Sequence, residues 1–71
     1  MVSLSDIEIG QKAEVKDFED LVAKCHFAKF GIGEGQVIKC IAKAGAIVIR
    51  KNHQEIAVGK NLSSQIYIEA L

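Results

Sequence analysis

With 71 residues, the chain has room for one small domain, and residues 1–71 are predicted to form a single one. Hydrophobic residues make up 49% of it, which favours a globular domain, but no apolar run approaches the ~20 residues that span a bilayer. Nine acidic residues balance nine basic ones, so no net charge attracts nucleic acid or a membrane surface, and neither is expected as a partner.

The first half of the chain predicts a turn, a strand and a helix. The turn ends at Gly10 and is followed by "QKAEV" (residues 11–15), where apolar and charged residues alternate as in a half-buried strand. Residues 19–30 contain neither glycine nor proline, with acidic residues first and a lysine near the end, which favours a helix of about three turns. Gly31 is predicted to cap this helix in the left-handed conformation.

The second half is predicted to be β throughout. Short polar or glycine-containing turns separate four β-rich segments: "QVIKCIAKA", "AIVIRK", "EIAV" and "IYIEAL". Together with "QKAEV" they give a mainly β domain of five strands, with one helix between the first and second strands. Strand alternation places four side chains on the side that faces the core: Ile38, Cys40, Ile47 and Ile49.

Three closely spaced glycines in "FGIGEGQVIKC" raise the question of a phosphate-binding loop. Such loops run in the order strand, glycines, helix, so that the free amide groups of the helix N-terminus face the phosphate. Here the glycines follow a predicted helix and precede a strand. They are therefore predicted to shape a turn, and no nucleotide cofactor is expected.

Four side chains could act as metal ligands or catalytic groups: Cys25, His26, Cys40 and His53. None falls in a Cys-x-x-Cys or His-x-x-x-His motif, and neighbouring helical residues such as Cys25 and His26 point about 100° apart. No export signal is apparent, so we expect a cytoplasmic protein whose cysteines stay reduced. No catalytic residue, cofactor or metal site is predicted, and a metal-binding or redox protein ranks behind an interaction domain.

Three motifs resemble those of the ferrous iron transport protein A (FeoA) family. The central one is "FAKFGIGEGQVIKC", and "LSDIEIGQKAEV" is similar to the family's opening motif, with Leu4, Gly10 and Val15 in register. The hydrophobic positions of the family's closing hairpin and strand are matched by Ile47, Ile49, Ile56, Ala57, Val58, Ile66 and Ile68. The resemblance covers nearly the whole chain.

This resemblance implies a fold and a partner. The fold would be a small five-stranded SH3-like β-barrel with one helix, in which Phe27 and Phe30 face the core. The protein would be a cytoplasmic accessory of the membrane GTPase, of the FeoB type, that imports ferrous iron in bacteria. It would act as a noncatalytic interaction module that docks on this transporter.

Three features of the sequence depart from the family pattern. Cys25 and His26 stand where a basic pair is usual, "KAGA" replaces a proline-containing loop, and Gly59 replaces a common arginine. These departures leave a second hypothesis open, in which the chain is a homo-oligomeric structural or regulatory domain with another protein partner.

Apolar side chains that the predicted core does not need mark a candidate contact surface. The helical period and strand alternation turn six of them outward: Leu21, Val22, Cys25, Val37, Ile41 and Val48. Since outward positions are normally polar, these six are predicted to bind a partner, either the transporter GTPase or a second copy of the chain. The alternative is that loops of the same chain cover them.

Overall fold

The structure, a computed structural model, describes residues 1–71 and contains one six-stranded antiparallel sheet. In chain order the elements are strand β1 (Val2–Ser3), a 3-10 turn (Leu4–Asp6), strand β2 (Lys12–Phe18), helix α1 (Leu21–Ala28), strands β3 (Val37–Ala44), β4 (Ala46–Lys51) and β5 (Gln54–Val58), helix α2 (Lys60–Ser63) and strand β6 (Ile66–Ala70). The strands lie in the order β1-β6-β2-β3-β4-β5, so β1 and β5 form the edges. Neither helix has the length and apolar character needed to cross a membrane.

The predicted mainly β architecture is confirmed, whereas the count of five strands and one helix is wrong. The additional elements are β1, a two-residue strand that pairs with β6, and α2, a single helical turn between β5 and β6. Elements this short carry no periodicity in the sequence. The sheet is open at its edges, and the 3-10 turn and α2, which contact each other, bridge from β6 to β4.

Helix α1 begins at Leu21 rather than at Glu19 because Asp20 keeps an extended conformation and caps the helix. Asp20 has a φ of −156°, and its carboxylate accepts a hydrogen bond from the backbone N–H of Ala23 at 2.9 Å. This bond satisfies one of the amide groups that the first helical turn leaves without a partner.

Replacing this cap should have a measurable cost. We expect Asp20→Ala to lower the free energy of unfolding by about 1 kcal/mol, as measured by denaturant titration. Glu8→Ala is the matched control, because Glu8 is an exposed acidic residue without a side-chain ion pair. Equal losses in the two variants would show that the cap bond contributes nothing specific.

The end of α1 confirms the left-handed conformation predicted for Gly31. Its φ is +74°, its N–H donates to the Ala28 carbonyl at 3.0 Å, and the N–H of Ile32 donates to the Phe27 carbonyl at 3.0 Å. These two bonds form the Schellman motif, which ends many helices at a glycine. The motif folds the chain back over the helix end, where Ile32 and Phe27 are both buried.

The core lies between the inner face of the sheet, α1 and the 3-10 turn, and it contains sixteen buried hydrophobic residues. The strand side chains predicted to face inward are all buried: Ile38, Cys40, Ile47 and Ile49. Strand alternation therefore gave the correct face for these four residues. On the helix side, the rings of Phe18 and Phe27 lie with their centroids 5.7 Å apart.

The prediction that Phe30 faces the core is wrong, because its side chain is 43% exposed. Helix α1 ends at Ala28, and the N–H of Phe30 donates to the Phe27 carbonyl in a tighter turn. The chain leaves the helical period at this point. Phe27 and Ile32 fill the core instead, and Phe30 turns towards solvent.

Candidate functional site

Helix α1 presents three of the six predicted contact residues to solvent, Leu21, Val22 and Cys25, which we call the helix surface. Leu21 is 76% exposed, Val22 is 66% exposed, and Cys25 is an exposed free thiol. The helix points Ala23 and Phe27 into the core, and its turn of 100° per residue carries the other three side chains away from it. Their exposure agrees with the sequence analysis, while partner binding stays a prediction.

The other three predicted contact residues, Val37, Ile41 and Val48, lie on β3 and β4, and we call them the sheet surface. Val37 is 48% exposed, but Ile41 and Val48 are only partly exposed. Strict alternation fails at Ile41 because the pairing of β3 with β4 shifts between Cys40 and Ala42, which makes Ile41 the extra residue of a β-bulge. The sheet surface is therefore less exposed than alternation predicts.

The helix surface and the sheet surface point in different directions. Ala23 and Phe27 share one core with the inner face of the sheet, so α1 covers that inner face. The exposed side of α1 faces away from the sheet, whereas Val37 and Val48 project from the sheet's outer face. The six predicted residues thus form two separate surfaces. A partner with one flat binding surface could contact only one of them.

Phe30 is an exposed apolar residue, although the family resemblance predicts it in the core. It lies two residues after the end of α1, and its side chain is 43% exposed. The signal that could have revealed it was the predicted cap at Gly31. A left-handed residue at that position requires the chain to leave the helical period at about Phe30.

The cysteine and histidine residues are dispersed in the fold. Cys40 is fully buried, and its thiol lies 3.6 Å from the Ala42 carbonyl, as expected of a small core side chain. Cys25 and His26 are exposed on α1, and His53 is exposed at the hairpin tip between β4 and β5. Nowhere in residues 1–71 do three Cys, His, Asp or Glu side chains meet in a group that could hold a metal ion.

The glycine-rich segment forms a turn, as predicted. Gly35 has a φ of +86° and donates its N–H to the Val15 carbonyl at 2.8 Å, while the Gln36 N–H donates to the Gly33 carbonyl at 3.2 Å. The Lys51 ammonium group donates to the Gly31 carbonyl and ties the turn to the end of β4. These groups all bond within the domain.

One tyrosine hydroxyl joins the last strand to the segment before α1. Tyr67 donates a hydrogen bond to the Glu19 carboxylate, and this bond, with the negative charges of Glu19 and Asp17 nearby, raises the pKa of Tyr67. Since the ordinary pKa of tyrosine is already about 10, the phenol is protonated at neutral pH. It stabilises this junction and offers no general base.

The largest cavity, of about 400 Å³, lies where the 3-10 turn, the β3–β4 hairpin and α2 meet. Its buried polar side chain is Ser63, whose hydroxyl already donates to the Lys60 carbonyl at 2.8 Å. No buried polar side-chain atom in the protein lacks a hydrogen-bond partner. The cavity therefore contains no buried polar side-chain atom without a hydrogen-bond partner.

Solved structures show how widely this fold is shared. A crystal structure of an iron uptake regulatory protein, FeoA, matches with a TM-score of 0.91 and 25% identity over 99% of this chain and 96% of that one. A FeoA-like protein from Clostridium acetobutylicum matches with a TM-score of 0.89 and 23% identity over 99% and 86% of the chains. The manganese regulator SloR matches with a TM-score of 0.88 and 19% identity, over 99% of this chain but 34% of that one.

These matches differ in what they establish. The likeness to SloR and to the Clostridium protein, both below 25% identity, shows a shared fold. No curated protein sequence matches the chain significantly. The model of the FeoA domain, however, matches residues 2–70, and the chain accordingly belongs to the FeoA domain family.

Proposed function

We propose that this protein is a small noncatalytic accessory domain of a bacterial ferrous iron uptake system. The match of the FeoA domain to residues 2–70 carries the proposal, and the likeness to an iron uptake regulatory protein supports it. In this proposal the domain works in the cytoplasm, where it docks on the GTPase part of the membrane transporter. It acts by binding, which requires neither a catalytic group nor a cofactor.

The helix surface is the part of the molecule that best fits such a contact. Leu21 and Val22 are apolar side chains that expose most of their surface to solvent, and Phe30 lies just beyond the helix end. Burying an exposed aliphatic side chain contributes about 1.5–3 kcal/mol in transfer free energy. A partner that covers Leu21 and Val22 would gain affinity from the burial of these two apolar side chains.

A titration with two matched variants tests this docking. Isothermal titration calorimetry would measure binding of the domain to the purified GTPase part of the ferrous iron transporter from the same organism. We expect wild-type protein to bind and Leu21→Glu to lose about tenfold or more in affinity, because a carboxylate would be buried in the contact. Asn61→Glu introduces the same group at an exposed position of α2, away from the helix surface, and should bind as wild type does.

Controls on folding and assembly complete the test. Leu21→Glu should keep the thermal unfolding temperature of the wild type, since Leu21 is 76% exposed. Loss of folding would place Leu21 in the core, and equal affinity of Leu21→Glu and wild type would rule out the helix surface. The homo-oligomeric alternative would be supported by a wild-type domain that does not bind the GTPase but sediments as an oligomer. In that case Leu21→Glu or Val48→Lys should sediment as a monomer.

A further inference from the structure

Three cationic side chains stand side by side across the outer face of the sheet. Lys12 on β2 lies opposite Lys39 on β3, and Lys39 lies opposite Arg50 on β4. All three residues are exposed. Since neighbouring strands are about 4.8 Å apart, the positions span about 10 Å across the sheet. We call Lys12, Lys39 and Arg50 the cationic row.

The charges of the cationic row are only partly compensated within the protein. Arg50 donates to the Glu55 carboxylate at 2.7 Å, and Glu55 is its cross-strand neighbour on β5. Lys12 and Lys39 have no carboxylate within 4.0 Å. Like charges directly opposite each other destabilise a strand pair, so the row does not serve the stability of the sheet.

A shallow recess of about 260 Å³ lies beside the row. Its lining includes all three cations, the polar residue Asn52 at the hairpin tip, and the half-exposed Val37, but no acidic residue. Ammonium and guanidinium groups bind carboxylates through charge-assisted hydrogen bonds. An apolar side chain of a ligand could rest on Val37.

From this arrangement we propose that the cationic row binds a short acidic segment of a partner protein. Two or three carboxylates of the segment would pair with the row, and an apolar residue beside them would contact Val37. The proposal rests on the proposed function in one respect, that the domain acts by docking on another protein.

The surroundings of the row favour an acidic peptide over nucleic acid. Glu55 stands at one end of the row, and Glu14, two residues after Lys12 and opposite Val37, flanks the row on the same outer face. A nucleic acid strand carries a charge at every nucleotide and needs a positive groove that continues along its backbone. The cationic row is only about 10 Å long and has carboxylates nearby, so it can pair with only a few negative charges of a ligand.

Nuclear magnetic resonance of the whole ¹⁵N-labelled protein tests the proposal, with a capped synthetic peptide of the sequence Asp-Glu-Leu-Glu-Asp as the probe. We expect amide shifts to change with added peptide at Lys12, Val37, Lys39 and Arg50, and the affinity to fall several-fold when salt is raised from low to physiological strength. Lys39→Glu should weaken binding by about tenfold, since attraction at the centre of the row becomes repulsion.

A matched variant and two other probes make the result decisive. Lys60→Glu changes the net charge equally but lies on α2, outside the row, and should bind the peptide as wild type does. Equal weakening by both variants, or shifts outside the row, would overturn the proposal. Inorganic phosphate or a thymidine oligonucleotide that binds the row as tightly as the peptide would overturn it too.

The outcome is separable from that of the proposed function. Absence of peptide binding, with GTPase docking intact in calorimetry, would reject the acidic-segment proposal alone. Peptide binding at the row without GTPase docking would reject the transporter as the partner and keep the cationic row as a binding site.

Discussion

Phe27→Ala should lower the free energy of unfolding by about 3–5 kcal/mol, a large part of the stability of a small domain. Phe27 is fully buried, its ring lies beside that of Phe18, and its carbonyl accepts the bond that closes the end of α1. Truncation would leave a cavity where the helix meets the sheet. Urea denaturation followed by circular dichroism measures the change directly.

Phe30→Ala provides the control for this experiment. It removes the same ring three residues later in the chain, but Phe30 is 43% exposed, and we expect a loss below about 1 kcal/mol. Similar losses for Phe27→Ala and Phe30→Ala would contradict the Schellman turn that separates their environments. A loss below about 1 kcal/mol for Phe27→Ala would mean that α1 does not pack on the sheet as described.

Leu4→Ala should destabilise the domain by about 2–5 kcal/mol, although Leu4 belongs to a three-residue turn. Its side chain is fully buried, and the 3-10 turn that holds it contacts both β6 and α2. The turn therefore supplies part of the core where the sheet does not close on itself. Ile9→Ala, at a site that is 64% exposed, should cost less than about 1 kcal/mol in the same denaturation experiment. Equal costs would show that the turn is not part of the folding unit.

The long strands could be predicted because, outside their bulges, their side chains alternate between core and solvent. The segment "AIVIRK" predicted β4 at the bounds that the structure shows, and Ile47 and Ile49 are buried as expected. The left-handed cap after α1 could be predicted because glycine adopts this conformation at low cost, and Gly31 occupies that position.

The short elements could not be predicted because tertiary contacts specify them. Helix α2 consists of one turn within "GKNLSS", and it is held by the burial of Ser63 and by Leu62 packing against the core. The bulge at Ile41 depends on how β3 pairs with β4, and the residues of β3 alone do not predict this register.

The helix surface and the cationic row also differ in whether the sequence alone predicts them. The helix surface follows from the helical period alone, so Leu21 and Val22 could be assigned to solvent before the fold was known. The cationic row depends on the register of three strands. Lys12, Lys39 and Arg50 are far apart in the sequence, and only the pairing of β2, β3 and β4 brings them together.

Uptake of radiolabelled ferrous iron by cells that lack this chain tests the proposed function most directly. Deleting its gene should lower the initial rate of ferrous iron uptake, and expressing the wild-type chain should restore that rate. Leu21→Glu, produced at the same level, should fail to restore it, whereas Asn61→Glu, on α2, should succeed. Unchanged uptake after deletion, in cells whose ferrous iron transporter is expressed and active, would contradict a function in ferrous iron uptake.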